Sequence, residues 1–184
     1  MIETVKDQIV AAVRGTGNIV QATVDTVAQI LATTIKDTGK VGTSVTDAIA
    51  DVASGAIRGA AQIGVDLTQA AKGLMVGVLR GSKEAGTEVL DTITHTAQVA
   101  VRDTAKVGGN LESAATGLVQ GAIQGAKEVG VDAEAAATAA AQGALKGAAE
   151  LGSTAVEAVR KAVSKPINGV KVVLKEPEIA MSKN

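Results

Sequence analysis

Apolar residues recur along this chain in steps of four, three, four, four, three and four, inside a 22-residue unit that repeats seven times from Asp7 to Arg160 without insertion or deletion. The units start at Asp7, Gln29, Asp51, Gly73, His95, Gly117 and Ala139. These steps are helical spacing, and no stretch alternates with the period of two that a strand needs. Each unit is two 11-residue halves, about 3.67 residues per turn, so the apolar stripe keeps its register from unit to unit. Unit positions 1, 8, 12 and 19 form the opposite face. Position 8 is mostly basic: Arg14, Lys36, Arg58, Arg80, Arg102, Gln124 and Lys146. The pattern is that of an amphipathic helix.

Position 14 is Val20 and then Gly42, Gly64, Gly86, Gly108, Gly130 and Gly152. Two residues beyond each glycine stands Ser44, Asp66, Glu88, Asn110, Asp132 or Thr154, and Ser44-Val-Thr-Asp47, Asp66-Leu-Thr-Gln69 and Thr154-Ala-Val-Glu157 resemble capping boxes. Glycine just past a helix end, followed by a capping residue, is stop–start grammar. The expected fold is therefore all-α: seven tandem repeats forming antiparallel, closely packed helices in a solenoid or bundle. Each helix would run about 18–20 residues, roughly 28 Å. The alternative is one long, lightly broken amphipathic helix. It would account for the absence of loop-length variation. It would also account for a higher similarity at 66 residues, where Lys36-Asp37-Thr38 recurs as Arg102-Asp103-Thr104. Against it, each interior glycine costs about 1 kcal/mol relative to alanine.

A second set of glycines reads as packing. Gly73, Gly77 and Gly81, and again Gly117, Gly121 and Gly125, are spaced by four, and Gly55/Gly59 and Gly143/Gly147 are shorter versions. Each set lies on one flank of its helix, a ridge without side chains that lets backbones approach closely. The helical domain is expected over residues 1–165, free of proline until Pro166, with a non-helical tail over 166–184. In that tail Ile167-Asn168-Gly169 signals a turn and Val170–Leu174 a short extended segment, which either docks back on the helices, the favoured expectation, or serves as an exposed partner-binding strand.

Composition narrows the chemistry. The chain has no Phe, Trp or Tyr, so its core must be thin and nothing in it bulky. The 18 basic and 19 acidic residues leave a net charge of -1, with no basic face for nucleic acid. There is no cysteine for disulfides or thiolate metal sites. No apolar run is long enough for a transmembrane helix, and the polar start Met1–Asp7 is unlike a secretory signal, so the expected location is cytoplasmic. The lone histidine, His95, stands at unit position 1 and is expected as a solvated surface residue. No phosphate loop is present, and no cofactor, metal, small-molecule substrate or catalytic residue is indicated. The charged face is expected to carry i,i+4 pairs such as Arg80/Glu84 and Lys146/Glu150.

A property shared among seven copies is a surface, not an active site. The expected function is that of a non-enzymatic structural repeat protein, a homo-oligomer that self-associates through its Gly/Ala-rich helix faces into a scaffold. The first and seventh units carry no strongly polar cap, which would leave the ends free to stack. In period alone the chain resembles the exchangeable apolipoproteins and synucleins. That resemblance implies a reversible amphipathic coat on a lipid or granule surface as the alternative, and the glycine ridges allow a pore-forming bundle as a third.

Overall fold

The computed structural model describes residues 2–38, 43–85, 88–172 and 174. Eight helices follow one another among them: α1 (Ile2–Thr16), α2 (Ile19–Thr38), α3 (Thr43–Gln62), α4 (Leu67–Ala85), α5 (Val89–Lys106), α6 (Leu111–Val129), α7 (Ala133–Ala149) and α8 (Ser153–Val163). The count is eight rather than seven because each unit spans the end of one helix and the start of the next. Neighbouring helices run antiparallel.

The turn glycines explain the breaks. Gly64, Gly108, Gly130 and Gly152 all hold positive φ, a conformation open to glycine at little cost. At the end of α3 the Val65 N–H donates to the Ala60 carbonyl and the Gly64 N–H to that of Ala61, both at 3.1 Å. This Schellman pairing satisfies carbonyls that a helix end otherwise leaves open. Gly109 and Gly108 repeat it at the end of α5, on Thr104 and Ala105. The long-rod alternative is thereby set aside. Gly42 and Gly86 lie outside the described residues. The first turn is made by Gly17, with φ 69°, and not in the Val20 column, because Asn18 caps α2 by accepting the Gln21 N–H at 3.1 Å. Asn110 and Asp132 cap α6 and α7 in the same way, each at 2.8 Å. Glu88 makes no cap bond, and the N-cap of α8 is Gly152, so Thr154 lies inside its helix rather than starting a capping box.

Gly64→Ala is expected to destabilise the fold by about 1 kcal/mol through backbone conformation alone. An added Cβ there meets nothing within 4 Å, so no packing change obscures the reading. Urea unfolding of the variant measures it.

Among the described residues every helix touches only its first and second neighbours along the chain. Odd-numbered helices form one layer and even-numbered helices the other, so the molecule is a two-layered ribbon and not a closed bundle. Both layers offer a helix the same surroundings: antiparallel first neighbours and parallel second neighbours. One helix is therefore the repeat, and a similarity spanning three units can cross from one layer to the other without conflict. Between the layers lies an aliphatic core that includes Leu31, Ile57, Leu74, Met75, Leu79, Ile93, Leu118 and Ile123.

After α8 the chain turns at Asn168 and Gly169, whose φ values of 50° and 79° match a type I′ turn. Ile167 and Val170 exchange backbone hydrogen bonds of 2.9 Å across it. Ile167 and Val172 are buried against the core cluster, so the described part of the tail docks on the helices.

Candidate functional site

The feature repeated through this molecule is the junction between second-neighbour helices, and glycine makes it. A Cβ placed on Gly77 of α4 would lie 2.8 Å from the Val24 carbonyl oxygen and 2.8 Å from the Val27 Cβ of α2. Real Cβ atoms do not come that close. Gly73 and Gly81 meet Val20, Thr23, Ala28 and Leu31 along the same helix. On α6, Gly117, Gly121 and Gly125 press on Thr68, Lys72, Met75 and Leu79 of α4. Gly55 and Gly59 of α3 press on Val5 and Lys6 of α1, and Gly143 and Gly147 of α7 on Thr94, Gln98 and Val101 of α5. In each case the contacted residues ascend with the glycines, so second neighbours are parallel. At every one of these glycines except Gly125, a carbonyl oxygen of the facing helix lies where the Cβ would be, the arrangement of a Cα–H···O contact, worth about 0.5–1 kcal/mol.

All ten packing glycines are thus placed against helices of their own chain. Sequence reasoning missed Gly109, whose Cβ would strike Leu67 and Thr104. The neighbouring turn glycine concealed it.

Charged side chains staple the same junctions. The Arg80 guanidinium of α4 donates to the Glu128 carboxylate of α6 at 2.6 Å, across 48 residues. Arg102 of α5 meets Glu150, the C-cap residue of α7, at 3.5 Å over the same spacing, and Gln98 donates to Glu150 as well. The expected Lys146/Glu150 pair is replaced by a cross-helix one. Glu150 turns to α5 rather than to Lys146, and the side chain of Glu84 lies outside those described. The hydrogen bond from Arg80, helped by one from Gln124, holds the Glu128 carboxyl below its ordinary range, while burial opposes this.

A carboxylate with a depressed folded-state pKa contributes stability that is present above its unfolded value and lost as pH falls through the folded one. With the two side chains 40% and 33% exposed, the contribution is no more than about 0.5 kcal/mol. Glu128→Gln is expected to be less stable than the parent by that margin near neutral pH. The gap should narrow as pH is lowered through and below the ordinary carboxylate range. Urea unfolding from neutral pH down through that range checks this.

One junction is built differently. In α5 the ridge positions hold His95, Val99 and Asp103 instead of glycine. Asp103 is 2% exposed. Its Oδ1 lies 3.3 Å from Lys106 Nζ and 3.9 Å from Arg102 Nε, while its Oδ2 has no hydrogen-bond partner. His95 is half-buried with its Nε2 enclosed and unpartnered, so the expected solvated surface histidine is corrected. The cause is its place in the ridge column, which faces the second-neighbour helix. Thr92, Thr96 and Thr104 are buried on α5 too. Their hydroxyls donate to the carbonyls four residues back, at 2.8, 2.7 and 2.7 Å.

Gln8 occupies the column in which Val52, Leu74 and Leu118 are fully buried, and it is exposed in a groove with Thr4, Gln29, Ile30 and Thr33. The N-terminal end of the ribbon therefore carries a polar cap. Among the described residues no helix covers Gln8, so a polar side chain costs nothing there.

Among the described residues no group of three or more His, Asp or Glu side chains is placed to hold a metal ion. No helix is long and apolar enough to cross a membrane. Fold and site define an α-helical repeat ribbon with glycine-ridged, ion-stapled junctions. No family model and no curated protein matches the chain.

Proposed function

We propose that the protein is a non-enzymatic structural repeat protein that self-associates into a scaffold. The observation that carries this reading is an uncovered junction at the C-terminal end of the ribbon. Leu79 of α4 and Val101 of α5 are fully buried beneath Gly125 and Gly147. Their counterpart on α7 is Leu145, which no helix among the described residues covers and which stays partly exposed. A second copy seated on α7 would complete that junction. The ridge glycines are already engaged within the chain, so association belongs to the end of the ribbon and not to its broad faces. The polar cap at Gln8 and Gln29 disfavours stacking at the other end. This supports a closed assembly of few copies over an open filament.

Sedimentation equilibrium tests the proposal. A concentration-dependent oligomer is expected for the parent, with Leu145→Glu shifted to monomer at unchanged helicity. A parent protein that stays monomeric at every concentration would reject self-association. Among the described residues only Leu90 and Leu151 are large apolar side chains left exposed, so lying on lipid would require the ribbon to open. Helicity that rises on adding anionic vesicles would favour a surface coat instead.

A further inference from the structure

We propose that the junction between α3 and α5 is a built-in opening seam, along which the α1–α3 and α5–α7 pairs part while the α2–α4–α6 layer stays closed and acts as the hinge. Two independent devices close junctions elsewhere: α4/α6 and α5/α7 have both, α1/α3 and α2/α4 have the first, and the α3/α5 junction has neither. The first is the glycine ridge. It is present on α3, α4, α6 and α7, but α5 presents His95, Val99 and Asp103 in that column. Side chains in place of bare backbone hold two helices farther apart. The α3/α5 contact is accordingly less extensive than those of α2 with α4, α4 with α6 and α5 with α7.

The second device is the ion-pair staple. The 48-residue spacing that joins Arg80 to Glu128 and Arg102 to Glu150 runs from Arg58 of α3 to Lys106 of α5. The acid is replaced by a second cation, and Lys106 turns to Asp103 on its own helix. Neither ridge nor staple holds this pair.

On the α5 side, what opening would uncover is largely polar. Spacings of four, three and four residues put Thr92, Thr96, Val99 and Asp103 on one flank of α5. The Asp103 Oδ2 and the His95 Nε2 have no partner in the closed state. An unmet buried carboxylate oxygen raises the free energy of the closed form, and water satisfies it on opening. The closed junctions of the even layer are lined mainly by Val27, Leu31, Met75 and Leu79, with Thr23 beside Gly73, and exposure of the aliphatic side chains is opposed by the hydrophobic effect. The same chain is therefore held closed along α2, α4 and α6 and is releasable between α3 and α5.

Thiol labelling of single-cysteine variants tests the seam, since the chain has no cysteine of its own. Val99 lies in the seam at 2% exposure, and Val76 of α4 is fully buried in the closed even layer. Under native conditions Val99→Cys is expected to label at least about tenfold faster than Val76→Cys. Its rate should be nearly independent of low urea, the mark of local opening, whereas Val76→Cys should follow global unfolding. A second change tests the cause. Asp103→Gly with Lys106→Glu rewrites the end of α5 after Gly125 and Glu128 of α6, and should slow labelling of Val99→Cys by about tenfold, some 1.4 kcal/mol. Labelling of Val99→Cys that matches Val76→Cys in rate and urea dependence would overturn the proposal. So would a folded double substitution that leaves the rate unchanged.

Discussion

Gly143→Ala is expected to destabilise the protein by about 1–3 kcal/mol, an overpacking penalty, although alanine is the strongest helix former and glycine among the weakest. At an exposed helical site the same change would stabilise by about 1 kcal/mol. The sign is reversed by what the new methyl would meet. A Cβ on Gly143 runs into the Thr94 carbonyl oxygen, carbonyl carbon and Cα, which are backbone atoms of α5 and cannot rotate away. The helices must separate, and the contacts of Gly147 with Gln98 and Val101 loosen with them. Gly121→Leu carries the argument further, because its Cβ would meet the Lys72 carbonyl at 2.5 Å and the Met75 Cβ at 2.8 Å. Both variants should unfold at lower urea. A Gly121→Leu protein that melts higher would remove the glycine ridge as the basis of the fold.

Much of this architecture was legible in the 22-residue period. The helices, the turn glycines at 64, 108, 130 and 152, and the bare flanks of α4 and α6 all follow from columns of like residues. A column shows which face of a helix is special but not which neighbour meets it. Hence the ridge glycines suggested association between copies, whereas they join second neighbours of one chain. The cross-helix staples were hidden for the same reason, since Arg80 and Glu128 become partners only once the register between α4 and α6 is known. His95 and Asp103 were visible as departures from the glycine column. Their burial depends on α3 lying opposite, which periodicity does not state. The turn at Gly17 was missed because the column argument outweighed the local Gly-Thr-Gly-Asn sequence from 15 to 18, itself a stop followed by a cap.

Leu79→Ala is expected to cost about 2–5 kcal/mol, the range for removing a fully buried leucine and leaving a cavity. Leu79 is 0% exposed, and in a core without aromatic residues no large neighbour can swing in to fill the space. The more telling measurement couples it to the ridge. A Cβ on Gly125 would meet the Leu79 Cδ1 at 2.5 Å and its Cβ at 3.2 Å, so Gly125→Ala alone should also destabilise. Here the obstacle is a side chain and not backbone. With Leu79 cut back to alanine the Cδ1 is gone, and a methyl at 125 fills part of the cavity while raising helix propensity. The double variant should therefore be more stable than the sum of the single losses predicts, by about 1 kcal/mol or more, within the usual range for residues in contact. No such rescue is available to Gly143→Ala, where every contacted atom belongs to the backbone. If Leu79→Ala and Gly125→Ala add without coupling, α6 does not rest on Leu79. If Gly143→Ala is stabilising, the α5/α7 junction is not closed on bare backbone.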